Sequence, residues 1–149
     1  MIDTSTVESA SREVLETSAR MAVRKVSSGS LAEGDDAELV ATLSLSGQRG
    51  GTLVVHCDWR QAVLVAEGML GAGLEADPET VHDALGEVVN QIGGSIKRQV
   101  GGDGSDMVLS PPVVVSGSPL RHCVKVTAEP CAVALELDEG ALHVCLWPA

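Results

Sequence analysis

The chain has 149 residues, enough for one domain with a two-layer core, and it carries a formal net charge of −11. This negative charge, together with the absence of Phe and Tyr and the presence of only two Trp residues, argues against nucleic-acid binding. No apolar run approaches the length of a membrane span, and the polar, acidic N-terminal segment is unlike a signal peptide, so we expect a cytoplasmic protein.

The N-terminal third of the chain predicts a helix, a loop and a β-hairpin. The helix is predicted from about Thr6 to Val26, with cap residues at Asp3 to Ser5. Its apolar residues recur at helical spacing: Val7, Ala10, Val14, Met21 and Ala22. The segment Ser27 to Asp36 is rich in Gly, Ser and Asp and predicts a loop. Two β-rich segments, Glu38 to Ser46 and Gly51 to Cys57, flank the turn sequence GQRGG and predict the hairpin.

Two helices are predicted next. Asp58 is the expected N-cap of the first, which continues to about Leu70 and ends at Gly71. The second covers Asp77 to Gly101, with Asp77 as N-cap, proline at the first helical position and an acidic residue in the first turn. Its apolar residues form one stripe at helical spacing: Val81, Leu85, Val88, Ile92 and Ile96.

The opposite side of this long helix carries polar and small residues. At about 100° per residue, Asp83, Glu87, Asn90 and Gly94 lie together, away from the apolar stripe. The pair Gly93–Gly94 is unusual, because each glycine in a helix interior costs about 1 kcal/mol relative to alanine. A partner that approaches this surface closely would explain the pair. Spacing alone also allows a solvated face with incidental polar residues.

The last third of the chain predicts a loop and then strands. Gly101 to Asp106 is rich in Gly and Asp and predicts a loop. Met107 to Gly117 predicts extended chain, and Pro111–Pro112 places it at a sheet edge or breaks it. Three more strands are predicted near Cys123 to Ala128, Cys131 to Leu137 and Ala141 to Trp147. The order of elements indicates an α+β fold of two layers, with helices packed on one face of a mostly antiparallel sheet.

The four cysteines show no CxxC spacing, and each lies in or beside a β-like apolar segment, so we expect buried free thiols. The His–Cys neighbours at 56–57 and 122–123 would chelate a metal poorly, because adjacent strand side chains point to opposite faces. His143 and Cys145 share a face, but two ligands do not make a zinc site. We expect no metal site in this chain. The sequence also contains no G-x-S-x-G motif, no P-loop and no dinucleotide fingerprint.

The segment DALGEVVNQIGGSIK, Asp83 to Lys97, closely resembles the signature helix of the CheC/CheX/FliY family of chemotaxis phosphatases. That signature places an acidic or hydroxyl residue, a Glu and an Asn at the spacing of Asp83, Glu87 and Asn90. A downstream proline segment is matched by LSPPVVVSG, where Pro112 lies close to the family position. The preceding helices and hairpin match in order, so the resemblance covers nearly the whole chain. The chain contains one E-x-x-N helix and not two, and in this respect it is similar to the single-site CheX type.

The resemblance implies a phosphatase that hydrolyses the aspartyl phosphate of a CheY-like response regulator in chemotaxis or related two-component signalling. Asn90 would orient the attacking water, and Glu87 would pair with the regulator's active-site lysine. Further residues would form the docking surface: Asp83, Gly93, Gly94, Lys97 and Pro112. Mg²⁺ would belong to the regulator, so this chain would need no cofactor of its own. CheX-type relatives are homodimers that join through their sheets, and the resemblance implies the same here.

Two other functions stay open from the sequence. A CheX-like domain can dock a response regulator without hydrolysing its phosphate, because a fold often persists after an activity is lost. A flagellar-switch or scaffold relative would instead use the sheet as an interaction platform. An intact Glu87 and Asn90 pair favours the phosphatase over the docking module.

Overall fold

The structure is a computed structural model, and it describes residues 2–28, 37–71, 76–101, 106–120 and 129–149. This part of the chain forms three helices: α1 (Thr4–Thr17), α2 (Trp59–Leu70) and α3 (Pro78–Val100). It also forms seven strands: β1 (Lys25–Ser28), β2 (Ala37–Ser46), β3 (Gly51–Cys57), β4 (Val108–Leu109), β5 (Val113–Leu120), β6 (Cys131–Leu137) and β7 (Gly140–Pro148). Ser27 and Ser28, the first residues of the loop predicted at Ser27–Asp36, instead end β1. The rest of that loop, most of the loop predicted at Gly101–Asp106 and the predicted strand at 123–128 lie outside the described residues.

The strands form one antiparallel sheet. Their order is β1–β6–β7–β3–β2, and β4 and β5 both pair with the outer edge of β2. Alternate residues of β2, from Leu39 to Leu45, join the main core together with the buried side chains of the helices. On the opposite face of the sheet, Val40 and Val54 form a smaller cluster with Trp147 packed against it. The helices therefore cover one face, and the predicted α+β fold is confirmed.

The longest helix, α3, lies between α1 and α2 and packs on the sheet through the predicted apolar stripe. All five residues of that stripe are 0 or 1 % exposed: Val81, Leu85, Val88, Ile92 and Ile96. This burial fixes which side of the helix faces outward. None of the described helices combines the length and apolar character needed to cross a membrane.

Each helix begins at an aspartate, as the sequence predicts. The carboxylates of Asp3, Asp58 and Asp77 accept hydrogen bonds from backbone amides three residues later, at 2.8, 2.7 and 2.8 Å. These amide bonds hold the pKa of Asp3 and Asp77 below the ordinary value, because they stabilise the ionised carboxylate. The predicted start of α2 and of α3 is confirmed to the residue.

The N-terminal helix is shorter than predicted. The sequence favours a helix to about Val26, but α1 ends at Thr17 and Lys25–Ser28 forms β1. Strand β1 pairs antiparallel with β6, and the backbone hydrogen bonds of that pairing replace those of a continued helix. Met21, which the helical spacing placed on the apolar stripe, reaches the core from the extended connection.

The proline pair divides the extended segment before the last strands. Pro111–Pro112 separates β4 from β5, and both strands pair with β2 alone among the described strands. Because proline has no N–H to donate, it suits this position between two short edge segments. The prediction of an edge or broken strand is confirmed.

The chain turns sharply after α1 at Arg20, whose φ of +54° lies in the left-handed region. The N–H of the next residue, Met21, donates to the carbonyl oxygen of Leu15 at 3.0 Å and fixes this turn. An exposed arginine with this φ is strained, because its Cβ crowds the following carbonyl.

We expect Arg20→Gly to raise the free energy of unfolding by about 1 kcal/mol, since glycine adopts positive φ without a Cβ clash. Arg20→Ala keeps the Cβ and should change the free energy of unfolding by less than about 0.5 kcal/mol. Urea denaturation followed by circular dichroism measures both. Equal gains in the two variants would show that the arginine side chain, and not its backbone angle, is the source of the strain.

Candidate functional site

The outward side of α3 presents the polar residues that the sequence singled out. Asp83, Glu87 and Asn90 are exposed, and Gly94 is half-buried on the same side of the helix. At 1.5 Å rise per residue, Asp83 and Asn90 lie about 10 Å apart along the axis. Glu87 and Asn90 are separated by less than one turn, so both side chains reach the same surface. We call this surface, from Asp83 to Gly94, the polar face of α3.

Glu87 is held by a neighbour that the sequence did not single out. The side-chain amide of Gln91 donates from Nε2 to Glu87 Oε1 at 3.0 Å. Its carbonyl oxygen accepts a hydrogen bond from the hydroxyl of Ser18, at the end of α1. The other carboxylate oxygen, Oε2, has no hydrogen-bond partner among the described residues. Glu87 is thus oriented through one oxygen and available through the other.

Asn90 has an uncommitted side chain within the described part of the chain. A carboxamide offers both an acceptor oxygen and two N–H donors, and it carries no charge at any pH of interest. Such a group on a rigid, buried helix can hold a water molecule in one orientation.

Pro112 is brought to the same helix. A Cβ placed on Gly86, the residue before Glu87, would lie 3.6 Å from Pro112 Cγ and 3.4 Å from Val114 Cγ2. The β4–β5 connection therefore packs directly against α3 beside the polar face. Pro112 itself is exposed and forms one border of the site.

The two adjacent glycines have different surroundings. Gly93 is buried, and a Cβ there would lie 2.9 Å from Leu109 Cδ2 and 3.4 Å from Leu43 Cδ1. Close helix-to-sheet packing therefore explains this glycine, and a contact of Gly93 with a partner stays a prediction. At Gly94 the nearest atom to such a Cβ would be Arg98 Nη1, at 3.9 Å. Gly94 is thus open to a partner, and packing within the described residues does not require a glycine there.

The two basic residues at the end of α3 also differ in their surroundings, because only one of them forms an ion pair with a described residue. Arg98 pairs with Glu13 of α1 at 3.2 Å, and both side chains are largely exposed. Lys97, which is half-buried, forms no ion pair with a described residue. Of these two cations, Lys97 is the one whose charge is uncommitted near the polar face.

The described cysteines do not form a reactive site. Cys57 and Cys145 are buried free thiols, as the sequence predicts, whereas Cys131 is a free thiol that is only half-buried. Cys123 lies outside the described residues. Burial raises the pKa of Cys57 and of Cys145 to about 12, so both stay protonated at neutral pH. A protonated buried thiol is a poor nucleophile, so neither Cys57 nor Cys145 is a candidate for nucleophilic chemistry.

Sequence reasoning missed two residues that touch this site. Gln91 lies four positions after Glu87, and a Gln–Glu pair at this spacing is a recognisable local signal. Ser18 carries no such signal, because it is 73 positions from Gln91 in the chain. Only the packing of α1 against α3 brings the two together.

The chain matches a known family model over a segment that includes α3. The sequence matches the family model described as "Chemotaxis phosphatase CheX" over residues 39–136, well over half of the chain. The chain belongs to the CheX family. The matched segment contains Glu87, Asn90 and Pro112. Among curated proteins, none matches this chain at a significant level.

Solved structures show the CheX fold over nearly all of the chain. The chemotaxis protein CheX from Vibrio vulnificus has 21 % identity and a TM-score of 0.80, with 97 % of each chain covered. A CheC-like superfamily protein from Shewanella sp. PV-4 has 20 % identity and a TM-score of 0.82, covering 100 % of this chain and 99 % of that one. A CheX–CheY–BeF₃–Mg²⁺ complex from Borrelia burgdorferi has 21 % identity and a TM-score of 0.72, with 99 % of each covered.

We expect Gly94→Ala to raise the free energy of unfolding by about 1 kcal/mol, because the added methyl meets only Arg98 Nη1, at 3.9 Å, and alanine favours the helix. Gly93→Ala is the matched control, since its methyl would crowd Leu109 and offset the helical gain. Thermal and urea denaturation compare the two variants. A gain for Gly93→Ala as large as that for Gly94→Ala would contradict the packing explanation.

Proposed function

We propose that this protein is a phosphatase that hydrolyses the aspartyl phosphate of a CheY-like receiver domain in chemotaxis or a related two-component pathway of the cytoplasm. The observation that carries the proposal is an exposed Glu87 and an exposed, uncommitted Asn90 on one side of a helix in a CheX-family chain. The similar chain from Borrelia burgdorferi, in a complex with CheY, beryllofluoride and Mg²⁺, supports the choice of partner.

The reaction depends on the position of a water molecule. An aspartyl phosphate is an acyl phosphate, and its hydrolysis needs water in line with the leaving carboxylate. Asn90 would accept a hydrogen bond from this water and donate another from its amide, without acting as a base. Fixing the attacking geometry in this way removes much of the entropic barrier to the reaction.

Glu87 would serve as the anchor for the receiver. Its free oxygen, Oε2, would accept a charge-assisted hydrogen bond from the receiver's active-site lysine. Because Gln91 already holds Oε1 at 3.0 Å, the carboxylate would meet the lysine with little loss of side-chain freedom. A lysine bound in this way places the phosphate near Asn90, less than one helical turn away.

Docking and hydrolysis also depend on the Mg²⁺ ion and on the charges of the two proteins. Mg²⁺ would be carried by the receiver's own acidic pocket; among the described residues, no three His, Cys, Asp or Glu side chains converge on a metal-sized site. With a net charge of −11, long-range attraction to an acidic pocket would be weak. Lys97 would supply local positive charge, while Asp83, Gly94 and Pro112 would complete the docking surface.

Replacing Asn90 should lower the rate of hydrolysis, whereas replacing Glu87 should weaken docking. Asn90→Ala should leave docking nearly intact and lower the hydrolysis rate by roughly 10²-fold, as for loss of a preorganised group. Glu87→Ala should weaken docking by about 2–5 kcal/mol, because the receiver's lysine loses its partner. Affinity for a beryllofluoride-activated receiver and the rate of phosphate release from a phosphorylated one measure the two effects.

The exposed Glu79, in the first turn of α3, provides the control for loss of a carboxylate. Glu79→Ala should change neither docking nor hydrolysis by more than about twofold, since Glu79 lies about two turns, or roughly 12 Å along the helix axis, before Glu87. Hydrolysis at the wild-type rate by both motif variants would refute the assignment of this site. Docking by the wild type without hydrolysis would favour the non-catalytic module.

The protein is further proposed to be a homodimer that joins through its sheet. Three exposed valines support this proposal: Val108, Val113 and Val115 are 60, 56 and 48 % exposed. Val113 and Val115 pair with Thr42 and Val40 on the sheet face away from the helices. Exposed β-branched residues at a sheet edge favour pairing with another sheet.

Light scattering should give about twice the 15.4 kDa mass of one chain at micromolar concentration. Replacing Val113 and Val115 together with lysine should lower the mass toward one chain, since the added charges oppose close approach of two sheets. A single-chain mass for the wild type across the concentration range would exclude the dimer.

A further inference from the structure

We propose that Gln91 is a positioning residue, which fixes the rotamer of Glu87 for docking and is itself held by Ser18 of α1. This inference rests on the proposed function of the same site and adds a positioning contact to it. It assigns a role to a side chain that neither contacts the phosphate nor belongs to the E-x-x-N motif.

The roles of donor and acceptor in this contact are forced. An ionised carboxylate can only accept hydrogen bonds, so the Gln91 amide must present its NH₂ group to Glu87 Oε1. The Gln91 carbonyl oxygen then points away from Glu87 and toward α1, where the Ser18 hydroxyl donates to it. A flipped amide would lose the bond to Glu87 and place its oxygen against the carboxylate, which cannot donate, although its NH₂ group could still donate to the Ser18 hydroxyl. The two contacts therefore select one orientation of Gln91 and one of Glu87.

We call the chain of contacts from Ser18 through Gln91 to Glu87 the relay. Its Ser18 end is fixed by the fold. Ser18 follows the last turn of α1, and its backbone N–H donates to the Val14 carbonyl oxygen at 2.9 Å. The next residue, Ala19, is fully buried. Its carbonyl oxygen lies against Gly68 of α2, so close that no Cβ fits there. Helices α1 and α2 thus fix the position of Ser18, and Ser18 holds Gln91 of α3.

An exposed glutamate without such support would sample several rotamers. Docking would then have to select one of them, and the affinity for the receiver would fall by the population lost. The hydrogen bonds of the relay fix the rotamer of Glu87 before the receiver binds. Its effect should therefore appear in docking and not in the rate of the bound complex, where Asn90 acts.

The same helix provides a matched control. Gln99 donates from Nε2 to Ser95 Oγ at 3.2 Å, again four residues back along α3. Ser95 in turn donates to Glu13 of α1 at 2.5 Å. Gln99 thus repeats the residue type, the spacing and the link to α1, about two turns after Gln91 and more than three turns after Glu87.

The experiment compares Gln91→Met, Ser18→Ala and the control Gln99→Met, each in the wild-type chain and in a Glu87→Ala chain. Dissociation constants for a beryllofluoride-activated receiver in Mg²⁺ and hydrolysis rates at saturating phosphatase are measured for all of them. We expect Gln91→Met to raise the dissociation constant roughly tenfold and Ser18→Ala roughly threefold. Saturated hydrolysis rates should stay within about twofold, and Gln99→Met should match the wild type.

The Glu87→Ala background separates positioning from folding. If Gln91 acts through Glu87, Gln91→Met should have almost no further effect there, whereas a structural role would give the same loss in both backgrounds. Equal losses of affinity in the two backgrounds would overturn the relay, and so would a Gln91→Met variant that binds the receiver as tightly as the Gln99→Met variant. Either result would leave the proposed function intact. A wild-type chain that neither docks nor dephosphorylates any receiver would overturn the proposed function, and this inference with it. Should Gln91→Met lower the melting temperature markedly, Ser18→Ala alone decides between the outcomes.

Discussion

The burial of one side of α3 is the constraint on which the rest of the site depends. Val88 and Ile92 are fully buried, and the other stripe residues are buried nearly as deeply. Turning the helix about its axis would bring such side chains into water, at a cost of about 1.5–3 kcal/mol each. Because successive residues are 100° apart, a stripe fixed toward the sheet fixes Glu87 and Asn90 toward solvent. The position of the functional side chains is thus a property of the core.

Small residues and polar bridges join the neighbouring elements to this helix. Gly86 lets the β4–β5 connection lie against α3, so that Pro112 and the motif share one surface. On the other side, α1 is linked to α3 by Ser18 and Gln91, and again at the buried Ser95. The exposed ion pair of Arg98 adds little to stability, since water screens it. The geometry of the site is therefore supported by packing and hydrogen bonds more than by charge.

Local chemistry let the sequence predict most helices and strands. The caps of α2 and α3 lie within three residues of the amides they satisfy, so Asp58 and Asp77 mark those helix starts without knowledge of the fold. The proline pair is also a local signal, because proline has no N–H to donate to a neighbouring strand, and it marks the break between β4 and β5. The E-x-x-N spacing is also local, because helical periodicity alone places Glu87 and Asn90 on one side. The amino-acid sequence by itself thus determined the fold class and the candidate site.

The tertiary structure decided what depends on distant residues. The segment after Thr17 fits a helical stripe as well as a strand, and pairing of β1 with β6 selects the strand. Gly93 and Gly94 are adjacent in the sequence, yet Leu109 covers Gly93 and leaves Gly94 open. The Ser18–Gln91 bond joins residues 73 positions apart. Such contacts have no local signal, because they exist only when the helices pack together on the same face of the sheet.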